Sequence, residues 1–116
     1  MSKFQQSPEF EKELKKLSRK YPSLVNDVED IKQILANTPT GIGKNFTIIR
    51  AIRNVKIVKA RLHCESLRAR TVRMIYAYHT DRIEFRYLEL YFKGNKENED
   101  RGRVTRYLKN VDKAPF

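Results

Sequence analysis

The sequence predicts an α+β domain in which an N-terminal helical hairpin packs on a twisted antiparallel sheet of about four strands and a C-terminal helix follows. Apolar residues recur at helical spacing up to residue 35 and at alternate positions after residue 54. A stretch rich in Gly and Pro, Asn37–Gly43, separates the two patterns. The length of 116 residues is that of one domain, so residues 1–116 are expected to form a single unit.

The first elements are predicted to be a short strand over residues 3–6 and two helices. Ser7 and Pro8 indicate a helix start, because serine accepts a hydrogen bond from an otherwise free amide and proline fits the first helical position. A second helix opens after Tyr21–Ser23. The apolar stripes of the two helices contain Phe10, Leu14 and Leu17, then Leu24, Val28, Ile31 and Leu35.

Three strong strand patterns follow the loop. In Val55–Leu62, Lys59 and Arg61 share one face while the apolar residues Val58, Ala60 and Leu62 share the other. In Thr71–Tyr78, Arg73 shares a face with Ile75. The third pattern, residues 83–92, is rich in aromatic residues, and residues 45–52 fit either a further strand or a covering loop. A last helix through residues 99–108 is expected to be capped by Asn95 or Asn98.

The positive charge is large and concentrated. The chain has 25 Lys and Arg residues against 14 Asp and Glu, a net charge of +11. This balance favours a nucleic acid, an anionic membrane surface or an acidic protein as the partner. Between residues 44 and 73 the only acid is Glu65, and the basic residues are Lys44, Arg50, Arg53, Lys56, Lys59, Arg61, Arg68, Arg70 and Arg73.

Other compositional features restrict the class of protein. No apolar run approaches the ~20 residues needed to cross a bilayer, and the first six residues lack the apolar stretch of a signal peptide. Cys64 is the only cysteine, which suits a reducing cytoplasm. The two histidines and this cysteine lack the spacing of a zinc site, so no metal and no cofactor are expected.

Lys59, Arg61 and Arg73 are the residues that the strand patterns would bring together on one sheet face. Arginine remains charged and binds phosphate through two parallel hydrogen bonds, so this face is predicted to bind a polyanion. The alternative is an ordinary solvated sheet face, which often carries charge.

The order of these segments resembles the RelE/ParE toxin superfamily along nearly the whole chain. The resemblance rests on the helical segment FEKELKKL (10–17) and on the strand segments VKARL (58–62), VRMIY (72–76) and LELYFK (88–93), followed by a short helix. It implies a RelE-like fold.

The resemblance also implies a function. RelE-like members are toxins of toxin–antitoxin pairs and act as ribosome-dependent endoribonucleases that cleave mRNA without a metal, by attack of the 2′-hydroxyl on the adjacent phosphate. The implied partners are an antitoxin protein, the ribosome and mRNA, with no membrane. Two other interpretations stay open: a ParE-like inhibitor of DNA gyrase without nuclease activity, and a catalytically inactive relative that binds RNA.

The resemblance assigns roles residue by residue. Lys59 and Arg61 match the basic pair of the central strand, and Arg73 matches the arginine of the next strand. The family's Arg-x-Arg-x-x-x-Tyr ending matches residues 101–107, which makes Arg101 and Tyr107 catalytic candidates, with Lys93 competing for the position of Arg101. The residues expected to bind RNA or the ribosome are Lys44, Arg50, Arg53, Lys56, Arg68, Arg70, Lys93 and Arg103.

Two segments depart from the family pattern. A stretch without glycine, residues 63–72, separates the two basic strands, and an insert, Gly94–Asp100, separates the last strand from the last helix. Structural roles are the alternative for several candidates. Tyr107 could be a packing residue, Arg101 and Arg103 could pair with Glu97, Glu99 or Asp100, and Tyr91 is expected to be mainly a core residue.

Overall fold

A computed structural model describes residues 3–111. Within these residues, three helices and five strands occur in the order β1 (Lys3–Gln6), α1 (Pro8–Lys20), α2 (Leu24–Asn37), β2 (Phe46–Ile52), β3 (Val55–Cys64), β4 (Ala69–His79), β5 (Glu84–Phe92) and α3 (Arg101–Val111). The predicted α+β class is confirmed, and the ambiguous segment after the Gly- and Pro-rich loop is the strand β2.

The sheet differs from the prediction in two respects. It has five strands in the order β1-β5-β4-β3-β2, and β1 pairs with β5 in parallel while every other pair is antiparallel. The prediction of about four antiparallel strands is therefore wrong in strand number and in orientation. The predicted short strand over residues 3–6 is confirmed as β1, so the helical hairpin follows a strand of the sheet. Lys3 pairs with Glu84, a partner about eighty residues away, and no local pattern reports such a distant contact.

The helices α1 and α2 cover one face of the sheet, named here the hairpin face. The Oγ atom of Ser7 accepts a hydrogen bond of 3.1 Å from the Phe10 amide, so the predicted cap is confirmed. The Phe10 side chain is completely buried and lies 5.2 Å from the Tyr87 ring. The other buried residues of this core include Leu24, Val28, Leu35, Val58, Ala60, Leu62, Val72, Met74, Tyr76, Phe85 and Leu90.

The helix α3 packs on the opposite face of the sheet, named here the α3 face. Its buried residues Val104 and Leu108 contact a second apolar cluster that contains Val55, Ile57, Ile75, Ala77, Leu88 and Tyr91. The Oδ1 atom of Asp100 accepts a hydrogen bond of 3.0 Å from the Arg103 amide. Asp100 therefore caps α3, and the expectation that Asn95 or Asn98 caps it is wrong.

A β-bulge in β5 changes which side chains reach each face. Ile75 pairs with Glu89 while Tyr76 pairs with Tyr87, so Leu88 is an extra residue. As a result Tyr87 belongs to the core of the hairpin face, and Tyr91 belongs to the cluster on the α3 face. Without the bulge, strict alternation would place Tyr87 and Tyr91 on the same face.

Beyond β1 the edge of β5 is covered by side chains from both layers. The Glu13 carboxylate on α1 accepts a hydrogen bond of 3.1 Å from the Leu90 amide. It also accepts two hydrogen bonds from the Arg103 guanidinium of α3, at 2.9 and 3.0 Å. Arg103 donates further to the Leu88 carbonyl at 2.9 Å. This bidentate pair links α1 to α3 around the sheet edge and satisfies backbone groups that have no strand partner.

Candidate functional site

The basic residues of the α3 face lie on adjacent strands. Arg61 on β3 is the direct cross-strand partner of Arg73 on β4, and Arg73 is the partner of Tyr91 on β5. Lys59 lies two residues from Arg61, in the neighbouring row with Ile75 and Glu89. Lys59, Arg61, Arg73 and Tyr91 are named here the basic cluster.

Arg73 is the most unusual member of the basic cluster. It is only 7% exposed, and its guanidinium donates a 2.5 Å hydrogen bond to the Arg70 carbonyl. Within residues 3–111 no carboxylate forms an ion pair with it. Burial and then the charge of Arg61 lower the pKa of Arg73. Like charges opposite one another destabilise a sheet, so this pair costs stability unless an anion lies between the two side chains.

Lys59 has an internal anionic partner. Its Nζ atom lies 2.9 Å from Oε1 of Glu99, in the loop between β5 and α3. Burial acts to lower the pKa of Lys59, but the hydrogen bond to Glu99 and the nearby charges raise it overall. Burial likewise acts to raise the pKa of Glu99, and the bond from Lys59 lowers it overall. The Oε2 atom of Glu99 lies 3.8 Å from Nε of Arg101, so one carboxylate contacts both Lys59 and Arg101.

Tyr91, which the sequence predicts to be mainly a core residue, lies in the same cross-strand row as Arg61 and Arg73. Its side chain is 5% exposed, and its hydroxyl is buried without a hydrogen-bond partner in the described chain. The Lys59 ammonium is close enough to counteract the rise in the pKa of Tyr91 that burial causes, although it forms no hydrogen bond of good geometry. Lys96 lies 5.1 Å above the ring. The pairing of Tyr91 with Arg73 is the observation that adds Tyr91 to the cluster. It can be recognised only when the register between β4 and β5 is known.

Glu89 holds the loop of residues 93–100 against the α3 face. Its carboxylate is 1% exposed. One oxygen accepts a hydrogen bond from Lys96, and the other accepts a 2.8 Å bond from the Asp100 amide. These contacts place Glu99, which lies between the two anchors, directly over Lys59.

Tyr107 lies apart from the basic cluster. Its hydroxyl is 2.5 Å from Nε2 of His79, at the end of β4. His79 is six residues beyond Arg73, which corresponds to roughly 20 Å along an extended strand. Burial raises the pKa of Tyr107 to about 12. The structure therefore gives Tyr107 a packing position on α3 and does not bring it to Arg73.

The Tyr107→Phe variant is expected to keep its activity and to lose a modest amount of stability. The change removes the hydrogen bond to His79, which typically contributes about 1 kcal/mol. Growth arrest on induction and a denaturant melt would measure the two effects. A Tyr107→Phe protein that melts like the parent but no longer arrests growth would restore Tyr107 as a catalytic residue.

The other candidate residues lie on both faces and at the edge of the sheet. Lys56 lies two residues before Val58 on β3, so its side chain is on the hairpin face, away from Arg73. Arg50 on β2 donates a 3.1 Å hydrogen bond to Thr105 of α3, next to the loop that carries Glu99. Arg103 is held by Glu13.

Turns and exposed positions hold the remaining candidates. Arg70 donates a 3.2 Å hydrogen bond to the Arg61 carbonyl, beside the basic cluster. Arg53 and Arg68 occupy turns before and after β3 with positive φ angles of 52° and 49°. Lys44 and Lys93 are exposed, and the Lys93 amide bonds to the Thr71 carbonyl at the Arg73 end of the sheet. In residues 3–111 no helix is long and apolar enough to span a membrane, and no group of three or more His, Cys, Asp or Glu side chains could hold a metal.

The architecture matches that of a solved structure. A chain of the archaeal RelE–RelB complex from Pyrococcus horikoshii OT3 superposes with a TM-score of 0.62 over 80% of this chain and 96% of that chain, at 17% sequence identity. The fold is RelE-like. No family model matches the sequence, and no curated protein matches it. Within the RelE-like fold, this chain places Arg61, Arg73 and Tyr91 in one row across β3, β4 and β5.

Proposed function

We propose that this protein is the toxin of a toxin–antitoxin pair and that it cleaves mRNA on the ribosome in the cytoplasm. The observation that carries the proposal is Arg73, a nearly buried cation that faces Arg61 and has no acidic partner in the described chain. A phosphate diester fits this position, because guanidinium groups bind its oxygens in bidentate fashion. The RelE-like fold supports the toxin assignment.

The proposed reaction is attack by an RNA 2′-hydroxyl on the adjacent phosphorus. The bond from phosphorus to the 5′-oxygen breaks, which leaves a 2′,3′-cyclic phosphate and a 5′-hydroxyl. Arg61 and Arg73 neutralise the charge that develops on the phosphate oxygens. The proton of the 2′-hydroxyl passes to solvent, and the Lys59 ammonium donates a proton to the leaving 5′-oxygen.

The partners follow from charge. A net charge of +11 favours binding to ribosomal RNA, with an affinity that falls steeply as the salt concentration rises. The antitoxin would be an acidic protein that covers the α3 face and neutralises the basic cluster.

Cleavage is expected to continue in excess EDTA once the magnesium requirement of the ribosome is met by another counter-ion. The nucleophile comes from the RNA, and arginine supplies the charge stabilisation, so the proposed steps use no added cation. Mapping of RNA ends should reveal 2′,3′-cyclic phosphate or 3′-phosphate termini within translated codons. Ends that carry a 5′-phosphate and require added metal would contradict the mechanism.

A cellular measurement separates nuclease from gyrase inhibitor. Induction of the protein should stop protein synthesis first, while DNA supercoiling stays unchanged. Trapped gyrase complexes with continuing translation would instead identify the ParE-like activity. RNA binding without cleavage would identify an inactive relative.

A further inference from the structure

The loop of residues 93–100 lies over the basic cluster in a defined conformation. Glu89, completely enclosed in the protein, holds both Lys96 and the Asp100 amide. Asp100 then caps α3, so the loop is fixed at its C-terminal end by the helix. The position of Glu99 is therefore imposed by its neighbours and is not that of a mobile surface side chain.

The Glu99 carboxylate occupies a position that suits a phosphate group. One of its oxygens lies 2.9 Å from the Lys59 ammonium, and the other lies 3.8 Å from the Arg101 guanidinium. A cavity of about 260 Å³ adjoins Glu99 and is lined also by Arg50 and Arg101. Carboxylate and phosphate oxygens accept hydrogen bonds from the same donors. A nucleotide in this cavity would present its phosphate to the cations that Glu99 now contacts.

Tyr91 provides an independent observation. Its hydroxyl is buried next to the Lys59–Glu99 pair, and in the part of the chain that the structure describes its proton has no acceptor, since the Lys59 ammonium can only donate. Buried hydroxyl groups are normally hydrogen-bonded. The Tyr87 hydroxyl is also unsatisfied but lies in the apolar core, whereas that of Tyr91 lies beside the charged Lys59–Glu99 pair, where a ligand oxygen would accept its proton. The loop of residues 93–100, in the conformation described here, does not supply that acceptor.

We propose that Glu99 holds the basic cluster in a self-inhibited state, and that an RNA phosphate replaces its carboxylate and takes Lys59 and the Tyr91 hydroxyl as donors. The inference rests on the proposed function, because it assigns the RNA phosphate to the same cluster. It makes the insert of residues 94–100 a regulatory element, which is displaced when RNA binds. Phosphate therefore binds Lys59 only in those molecules in which the Glu99 carboxylate has moved away from the Lys59 ammonium.

The first test compares Glu99→Gln with Glu97→Gln. Both variants change the net charge equally, and Glu97 is an exposed residue of the same loop. The probe is a fluorescein-labelled single-stranded RNA decamer, titrated against the full chain at fixed salt. We expect Glu99→Gln to bind on the order of tenfold more tightly, as for the loss of one competing charge-assisted contact. We expect Glu97→Gln to change the affinity by less than about twofold.

Equal effects of the two variants would overturn the proposal, since net charge alone would then explain them. A parent protein that fails to bind RNA while Glu99→Gln binds would support it. No binding by any of the three proteins would overturn both this inference and the proposed function. Unchanged affinity in Glu99→Gln, with cleavage that still depends on Arg73, would overturn the inference alone.

The second test examines Tyr91 in the Glu99→Gln background. Tyr91→Phe removes the hydroxyl and keeps the ring, and Tyr87→Phe is the matched control because its buried hydroxyl also has no partner among the described residues. Both changes should leave the melting temperature the same or slightly higher, because each removes an unsatisfied buried group. Only Tyr91→Phe should weaken RNA binding, by about three- to tenfold. Identical affinities in the Tyr91→Phe and Tyr87→Phe proteins would exclude Tyr91 as a donor.

Discussion

In the Arg73→Ala variant, growth arrest and mRNA cleavage are expected to be lost while the protein remains folded. Removal of one donor that stabilises a developing oxyanion typically lowers a rate by about 10²–10³-fold. Arg73 has no carboxylate partner in residues 3–111, so its removal leaves no acid without a counter-charge. It also relieves the repulsion from Arg61. Loss of the hydrogen bond to the Arg70 carbonyl should cost about 1–3 kcal/mol, so we expect a lower melting temperature in a protein that still folds.

The matched control for this prediction is Arg19→Ala. Arg19 is an exposed residue of α1, and its removal changes the net charge by the same amount. Cleavage is measured on programmed ribosomes, and folding is followed by circular dichroism and thermal melting. A folded Arg73→Ala protein that cleaves within about threefold of Arg19→Ala would refute the phosphate role of Arg73, against the roughly 10²–10³-fold loss expected for such a donor.

The Arg103→Met variant is expected to lose stability rather than to lose an RNA contact. Arg103 makes a bidentate pair with Glu13 and also donates to the Leu88 carbonyl. Breaking a buried pair leaves a carboxylate without its counter-charge and costs about 3–5 kcal/mol. The Arg103 and Glu13 side chains are 19% and 25% exposed, so solvent screening reduces the expected loss to roughly 2–3 kcal/mol.

This loss should lower the melting temperature by about 10–20 °C in a domain of this size. Arg106→Met is the control, because Arg106 is an exposed residue of the same helix, and its change should stay within about 0.5 kcal/mol. A stable Arg103→Met protein with weakened RNA binding would instead assign Arg103 to the RNA interface, as the sequence resemblance implies.

The sequence by itself determined the elements and one part of the candidate site. The Ser7–Pro8 helix start and the strand alternation depend on local hydrogen bonding and on backbone geometry, which act within a few residues. Residues that pair directly on neighbouring antiparallel strands have their side chains on the same face of the sheet. For that reason Lys59, Arg61 and Arg73 were correctly predicted to share one face.

Only the tertiary structure decided the rest. The bulge at Leu88 shifts the alternation in β5 and places Tyr91, but not Tyr87, in the basic cluster. The rotation of α3 about its axis, set by packing on the sheet, directs Tyr107 to His79 and Arg103 to Glu13. The parallel pairing of β1 and the contact of Glu99 with Lys59 join segments that are far apart in the chain. Contacts of this kind depend on the packing of the whole domain, which local residue patterns do not encode.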